Sequence, residues 1–261
     1  MLILTTIIVL GLMGVAFAAI LGFAAEYYKV KEDPRIARLL SVIPNANCGA
    51  CGAAGCHNFA ERVIEGTIAV SGCVVGGADV AKKIASIMGV EGFEVHKQVS
   101  AVHCRALRSE RKKRASYSGV QTCSAANLVD GSGLLCKYGC LGFGDCVAVC
   151  PFDAIKMKDG TPIVDPEKCT ACKKCIAVCP RQIISLRPYN MNVIVGCSSH
   201  FKGSDVRKIC SVGCISCKIC EKESPEIFKV VDSLSVIDYS KTDKQFETAV
   251  QKCPTKCIVK Q

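Results

Sequence analysis

The chain has 261 residues, enough for one large domain or two to four small ones. Half of its residues are hydrophobic, which excludes a disordered chain, while the absence of tryptophan and an aromatic share of 6% argue against a large aromatic core. The formal net charge of +10 is compatible with nucleic-acid binding, but it counts all 21 cysteine thiols as neutral, and this cysteine content is extreme for so long a chain.

The N-terminal segment is predicted to cross a membrane. Residues 2–25 carry no charge, and as a helix they extend about 36 Å, enough for a hydrocarbon layer of about 30 Å. An interfacial pair, Tyr27 and Tyr28, is followed by the first basic residues, which are Lys29, Lys31, Arg35 and Arg38. Residues 1–26 are therefore the predicted anchor in the cell membrane, with the N-terminus outside and the rest of the chain on the cytoplasmic side.

A cleaved signal peptide is the competing interpretation, because Ala16-Phe17-Ala18 resembles a cleavage site. The segment lacks the basic n-region and the shorter apolar run of a signal peptide, so the anchor is favoured. The choice matters because cysteines in the reducing cytoplasm are more often metal ligands than disulfide partners.

The first cysteine group has the spacing Cys48-x2-Cys51-x4-Cys56-x16-Cys73. Glycines between the first three cysteines permit the tight turns that bring thiolates to one centre. Phe59 and Val63 recur at helical spacing after this group. Zinc sites usually pair two CxxC or CxxH units, so the spacing favours a [4Fe–4S] cluster. This domain is predicted over residues 27–90, with an amphipathic helix over 78–88.

The second cysteine group predicts a two-cluster ferredoxin-like domain over residues 135–190. Cys169-x2-Cys172-x2-Cys175-x3-Cys179-Pro180 matches the bacterial ferredoxin motif, whose fourth cysteine binds the neighbouring cluster. The related run upstream is Cys136-x3-Cys140-x5-Cys146-x3-Cys150-Pro151, in which Phe143 replaces the middle cysteine and Cys136 is the predicted substitute. The predicted ligand sets are Cys136, Cys140, Cys146 and Cys179 for one [4Fe–4S] cluster, and Cys150, Cys169, Cys172 and Cys175 for the other.

An internal repeat extends the pattern to the C-terminus. Residues 136–146 repeat as residues 210–220, and Cys217 stands where the first copy has Phe143. Ser224 replaces the crossing Cys150, so one cluster is predicted in a ferredoxin-like unit over residues 191–261. Its predicted ligands are Cys214, Cys217, Cys220 and Cys253.

Five cysteines remain, namely Cys104, Cys123, Cys197, Cys210 and Cys257. Two interpretations stay open: they are small buried residues, or some of them, such as Cys210 and Cys257, help to bind a further cluster. The strand-like segments Val102-His103-Cys104 and Val195-Gly196-Cys197 show that the repeat reaches upstream of the ferredoxin motifs.

Residues 91–134 are the predicted linker, and residues 105–114 within it hold six basic side chains and one acid. This basic segment is a solvated loop or a surface for an acidic protein or anionic lipid. Aromatic residues do not interleave with its charges, so nucleic acid is not an expected partner. The sequence contains neither the dinucleotide-binding nor the P-loop glycine motif, and no catalytic residue is predicted beyond electron transfer.

The predicted fold class is α+β, with one transmembrane helix, a small iron–sulfur domain and tandem ferredoxin-like (βαβ-type) units. An uncharged span is followed, in this order, by CGACGAAGC with a distal cysteine, GCLGFGDC, CPFDAI and CTACKKCIAVCP. In this order of motifs the chain resembles the B subunit of the Rnf complexes, which are membrane-bound ion-translocating ferredoxin:NAD⁺ oxidoreductases. The resemblance covers nearly the whole chain. It implies a cluster at the first cysteine group, electron entry from soluble ferredoxin, and partner subunits that carry flavin, nicotinamide chemistry and ion movement.

Two other functions stay open at this point. One is a membrane-anchored, ferredoxin-like subunit of another reductase or hydrogenase, which copurifying proteins would identify. The other is a zinc-stabilised binding protein that uses its basic face, which iron, sulfide and zinc analysis would identify.

Overall fold

The fold is that of a computed structural model, which describes residues 2–28, 32–90, 96–241 and 246–261. It begins with helix α1 (Leu2–Tyr27), in which nearly every described side chain is exposed. By length and composition α1 is suited to crossing a membrane. The predicted basic residues Lys29 and Lys31 fall outside the described residues, whereas Arg35 and Arg38 lie on the next helix.

Three helices form the domain that follows: α2 (Pro34–Val42), α3 (Cys56–Ile64) and α4 (Gly77–Met88). The carboxylate of Asp33 accepts the backbone N–H of Arg35 at 2.8 Å and thereby caps the start of α2. The apolar faces of the three helices meet around Leu39, Phe59 and Ile84. The two helices predicted in this region, after Cys56 and over 78–88, are confirmed, and the cysteine-bearing loops lie between them.

The next part of the chain, here called ferredoxin unit 1, covers residues 98–188. Strand β1 pairs antiparallel with β4, with Val102 opposite Ile184, and β2 and β3 form a hairpin turned at Asp159-Gly160. The elements in chain order are β1 (Gln98–Val102), α5 (Cys123–Leu128), α6 (Asp145–Ala148), β2 (Ile155–Lys158), β3 (Thr161–Val164), α7 (Lys174–Val178) and β4 (Ile184–Pro188).

Ferredoxin unit 2 covers residues 193–260 and repeats the plan. Strand β5 pairs with β8, and β6 pairs with β7, again antiparallel. Its elements are β5 (Val193–Val195), α8 (Gly203–Ile209), α9 (Ile219–Glu223), β6 (Phe228–Val231), β7 (Leu234–Ile237), α10 (Glu247–Lys252) and β8 (Ile258–Lys260). The expected tandem of small α+β units is present, and all four sheets in the described residues are antiparallel strand pairs.

Part of the segment predicted as a linker, residues 91–134, is folded against unit 1. Residues 98–102 form β1, and four of its five side chains are buried against unit 1. Because β1 supplies the partner strand of β4, unit 1 begins well before residue 135. Short 3-10 turns at Arg108–Glu110 and Asp130–Gly133 and helix α5 occupy much of the rest of the segment.

Cysteines belong to the hydrophobic cores of both ferredoxin units. The core of unit 1 combines Val99, Ile155 and Ile184 with the buried thiols of Cys140, Cys146, Cys169 and Cys175. The core of unit 2 combines Val193, Phe228 and Ile258 with those of Cys214, Cys220 and Cys257. These cysteines are therefore interior groups, whereas Cys217 is exposed.

Candidate iron–sulfur sites

Site 1 consists of Cys48, Cys51, Cys56 and Cys73, which line one pocket as predicted from their spacing. Gly49 and Gly52 adopt left-handed backbone with φ of 69° and 81°, which lets the loop wrap around the pocket. The side-chain oxygen of Asn47 accepts the backbone N–H of Cys56 at 2.8 Å. Burial, together with the neighbouring thiols, raises the pKa of Cys73.

The three ferredoxin-type motifs share one unusual backbone turn. In each, two residues that flank the position of the middle cysteine have left-handed backbone, a conformation that costs a non-glycine residue about 1–2 kcal/mol. Such alternation turns backbone N–H groups toward the enclosed space. The residue pairs and their φ values are Gly142 and Gly144 (82° and 86°), Ala171 and Lys173 (56° and 63°), and Ser216 and Lys218 (56° and 59°).

Site 2 differs from the predicted ligand set. Cys140, Cys146 and Cys179 line one pocket, as expected, but the fourth cysteine there is Cys123. The structure does not bring Cys136 to this pocket. Burial raises the pKa of Cys146 to about 12, and the thiols of Cys123 and Cys179 contribute to the rise.

Asp145 explains how Cys123 reaches site 2. Its carboxylate accepts the backbone N–H of Cys123 at 2.8 Å and that of Ser124 at 3.1 Å, so it holds the start of α5 against the start of α6. Burial alone would raise the pKa of Asp145, but these hydrogen bonds outweigh it and hold the pKa below its usual value. The signal available in the sequence was an acid directly before Cys146, at the start of a helix.

Phe143 stands at the position of the missing middle cysteine. Its ring makes an edge contact with Tyr117, with ring centroids 5.6 Å apart. The motif therefore keeps the turn of its two relatives, while an aromatic pair takes the place of a thiol and Cys123 supplies sulfur from another segment.

Site 3 brings together the cysteines predicted for the second ferredoxin cluster. The thiols of Cys150, Cys169 and Cys172 add to the effect of burial in raising the pKa of Cys175. Strand β1 contributes directly to this site, because the backbone N–H of Ser100 donates to Cys169 Sγ at 3.3 Å and Ser100 Oγ lies 3.4 Å from Cys175 Sγ. Ser100 is a functional neighbour that the sequence did not single out.

Site 4 contains Cys214, Cys217, Cys220 and Cys253, which line one pocket together with Cys257. Ser235 Oγ on strand β7 lies 3.2 Å from Cys220 Sγ. The buried Cys257 Sγ is 3.6 Å from Cys253 Sγ. The Cys257 thiol donates hydrogen bonds that lower the pKa of Cys253 to about 5 and that of Cys214 to about 6, and its own pKa is raised accordingly.

A further pocket, here called the bridge site, is lined by Cys104, Cys136, Cys197 and Cys210. These are Cys136, which was predicted at site 2, and three of the five cysteines left unassigned by the sequence. Cys257, which was considered as a partner of Cys210, lies at site 4 instead. Every cysteine of the chain is thus a member or an immediate neighbour of a cysteine group.

Comparison with known proteins identifies the origin of this arrangement. Residues 43–75 match the Fe-S cluster family, residues 135–183 the 4Fe-4S dicluster domain, and residues 211–259 the 4Fe-4S single cluster domain of ferredoxin I. The B subunit of the Na⁺-translocating ferredoxin:NAD⁺ oxidoreductase complex of Acetobacterium woodii is 42% identical over 258 residues, which are 98% of this chain and 77% of the relative. The chain belongs to the B-subunit family of ion-translocating oxidoreductase complexes.

Two other members of the B-subunit family match over nearly the same length. The member from Methanosarcina acetivorans is 39% identical over 98% of this chain and 97% of its own. That of the proton-translocating ferredoxin:NAD⁺ oxidoreductase complex of Clostridium ljungdahlii is 37% identical over 97% of this chain and 90% of its own. Because the family consists of oxidoreductase subunits and the matched domains are of the 4Fe-4S type, the chain is an electron-transfer subunit of such a complex.

The family matches also bear on the zinc alternative. Among the residues that the structure describes, no group of three His, Cys, Asp or Glu side chains is arranged to hold a single metal ion. The matches over residues 135–183 and 211–259 are to 4Fe-4S domains.

The basic segment 105–114 is not uniformly solvated. The guanidinium of Arg111 is half-buried and donates to the backbone oxygens of Cys140 and Gly160. Arg114 pairs with Asp130. Lys112 and Lys113 have exposed side chains. Arg111 therefore has a structural role beside site 2, and the expectation of a solvated segment holds only for part of it.

Proposed function

We propose that this chain takes single electrons from reduced soluble ferredoxin and passes them along [4Fe–4S] clusters to partner subunits that reduce NAD⁺ and move ions. The observation that carries the proposal is the presence of separate cysteine groups, on three ferredoxin-type turns and in the loops of the first domain, behind an apolar helix. The family relatives whose names specify ferredoxin:NAD⁺ oxidoreduction support the same direction.

The proposed ligands follow the cysteine groups of sites 1 to 4. Sites 1, 3 and 4 keep the ligands expected from the sequence, whereas at site 2 we assign Cys123 in place of Cys136. The sets are Cys48, Cys51, Cys56 and Cys73; Cys123, Cys140, Cys146 and Cys179; Cys150, Cys169, Cys172 and Cys175; and Cys214, Cys217, Cys220 and Cys253.

A bound [4Fe–4S] cluster supplies one-electron chemistry over a wide range of potentials. The chain's own residues bind it through thiolates, keep water away with the apolar cores, and adjust its potential through hydrogen bonds to sulfur. Ser100, Ser235 and Cys257 are placed for this last task, since each lies within hydrogen-bonding distance of a ligand sulfur.

The proposed arrangement at the membrane has α1 in the bilayer, the N-terminus outside and the cysteine domains in the cytoplasm, because basic residues follow α1 closely. The donor ferredoxin would meet the exposed Lys112 and Lys113. Arg111 and Arg114 are less available to this donor, because Arg111 donates to the backbone oxygen of Gly160 and Arg114 pairs with Asp130.

The test uses the anaerobically purified full chain in detergent, with iron, acid-labile sulfide and zinc analysis and stopped-flow mixing with reduced ferredoxin. We expect iron and sulfide in equal amounts and bleaching of the visible absorption on one-electron reduction. Zinc without sulfide would support the zinc-stabilised binding protein instead. A chain that contains clusters but is not reduced by ferredoxin would contradict the proposed donor.

Steering by charge is tested with a matched pair of variants. Lys112→Gln/Lys113→Gln should slow association with reduced ferredoxin at low salt, and the difference from wild type should vanish at high salt. Lys82→Gln/Lys83→Gln makes the same charge change at exposed positions of α4 and should have no such effect. Equal rates for both variants at low salt would remove the steering hypothesis.

A further inference from the structure

The bridge site gathers four cysteines from four separate segments. Cys104 follows strand β1, Cys136 follows the 3-10 turn Asp130–Gly133, Cys197 follows β5, and Cys210 directly follows α8. None of them belongs to a CxxC motif, and Cys104 and Cys197 are outside all three matched domains. Convergence of four such distant thiols on one pocket needs a cause beyond local spacing.

The internal repeat relates these cysteines in two pairs. Cys104 and Cys197 occupy the same place at the end of β1 and β5, and Cys136 and Cys210 occupy the same place four residues before Cys140 and Cys214. Each ferredoxin unit thus contributes one cysteine of each kind. The bridge site is therefore lined by equivalent cysteines from the two units.

Backbone contacts hold the two units together around this pocket. The backbone N–H of Arg105 donates to the oxygen of Gly196 at 3.1 Å, and that of Lys112 donates to the oxygen of Ile209 at 3.2 Å. Ser198 Oγ donates to the oxygen of His103 at 2.7 Å. The four thiols are therefore fixed relative to one another by both units.

Sulfur atoms of the bridge site accept hydrogen bonds from the backbone of neighbouring site ligands. The N–H of Cys140, a ligand of site 2, donates to Cys104 Sγ at 3.4 Å. The backbone of Cys214, a ligand of site 4, likewise forms a hydrogen bond to Cys197. The bridge site therefore contacts one ligand of site 2 and one ligand of site 4.

The interior of the bridge site suits an inorganic cluster. Four cysteine thiols, the ligands that iron–sulfur clusters take, line the pocket, and no Asp or Glu does. Its other walls include the apolar side chains of Leu134, Val206 and Ile209.

We infer that Cys104, Cys136, Cys197 and Cys210 bind a fifth [4Fe–4S] cluster, which connects site 2 with site 4. Each transfer moves one electron, so the cluster at one site is oxidised as the cluster at the next is reduced, and no proton or bond is involved. The binding site stands on the geometry alone, and only the source of the electron rests on the proposed function.

The test compares iron and sulfide in anaerobically reconstituted full-length chains. Wild type should hold about 20 iron atoms, and Cys136→Ala/Cys210→Ala should lose about four of them with an equal loss of sulfide. The control Ser116→Ala/Ser118→Ala, which changes two exposed side chains away from every cysteine group, should lose none. Iron retained by the double variant, or zinc in its place in wild type, would overturn the inference.

A second measurement keeps the test decisive if the double variant does not fold. In Cys210→Ser, which preserves size and polarity, we expect a changed EPR spectrum of the oxidised or reduced chain, such as the signal of a three-iron cluster, with the signals of the other sites kept. A spectrum identical to wild type would overturn the inference. If the spectrum were unchanged but ferredoxin still reduced the chain, the fifth cluster would be ruled out and the proposed electron-transfer function would stand. The failure of this inference can therefore be distinguished from the failure of the proposed function.

Discussion

The two ferredoxin units share one plan but differ in how their interiors are filled. Both have an outer strand pair, β1–β4 or β5–β8, around an inner hairpin. Unit 1 has the thiols of Cys169 and Cys175 in its core, whereas the corresponding half of unit 2 contains no cysteine between Cys220 and Cys253. Ser224 also stands in the place of Cys150. Unit 2 therefore has no counterpart of any of the four cysteines of site 3.

Aromatic side chains take the place of the missing site in unit 2. Phe228 is fully buried, and Tyr239 and Phe246 pack against the same core. The buried core of unit 1, within the residues that the structure describes, holds no aromatic side chain, and Phe152 packs only at its edge. A cluster and a set of aromatic side chains are therefore alternative ways to fill the interior of the same small fold.

The largest expected effect follows from this difference. Removal of iron by a chelator under reducing, anaerobic conditions should unfold unit 1 more than unit 2, because unit 1 has little apolar volume apart from its clusters. We expect amide-exchange protection to fall about 100-fold further in β1 and β4 than in β5 and β8, equivalent to about 2.7 kcal/mol. Equal losses in the two strand pairs would show that the aromatic core does not substitute for a cluster.

A medium effect is expected at Asp145, which binds Cys123 to site 2 in unit 1. Asp145→Asn should destabilise this site by about 1 kcal/mol, because an amide cannot accept both backbone N–H groups equally well. The EPR signal of site 2 should change and that of site 3 should not. Asp153→Asn, at an exposed position of the same unit, is the matched control and should behave as wild type.

The pH dependence of the Asp145 contact has a definite sign. Its pKa is lowered in the folded chain, so the stabilisation is complete above the ordinary carboxyl value of about 3.9 and is lost as the pH falls through the lower folded value. The difference between wild type and Asp145→Asn in denaturation experiments should therefore stay constant from pH 5 to 8. A difference that declines within that range would rule out the carboxylate as its source.

The smallest expected effect is a tuning change at site 4 in unit 2. Cys257→Ala removes a thiol that donates to Cys253 and Cys214, so the reduced cluster loses stabilisation and the potential should become more negative. Cys257→Ser retains a donor and should shift the potential less. An EPR-monitored redox titration measures both, and a loss of about four iron atoms would instead make Cys257 a ligand.

The sequence was most informative where ligands are local. Sites 1, 3 and 4 follow from spacing because short motifs and a CP dipeptide determine which cysteines meet. Cys123 was missed at site 2 because its position depends on a hydrogen bond that its backbone N–H donates to Asp145, 22 residues away. The strand at 98–102 was placed in a linker because its partner, β4, is more than 80 residues away. Long-range pairing of this kind leaves little trace in local periodicity.

Helix α1 sets a limit on how far the first cysteine domain can travel. The step from Tyr27 at its end to Pro34 at the start of α2 cannot exceed roughly 25 Å, even fully extended. With α1 in the bilayer, site 1 is restricted to a thin layer above the membrane, where a short tether gives an effective concentration of about millimolar toward any membrane-embedded acceptor. Site 1 then meets that acceptor within one assembly, and the rate of this encounter does not depend on how many copies of the chain the cell contains.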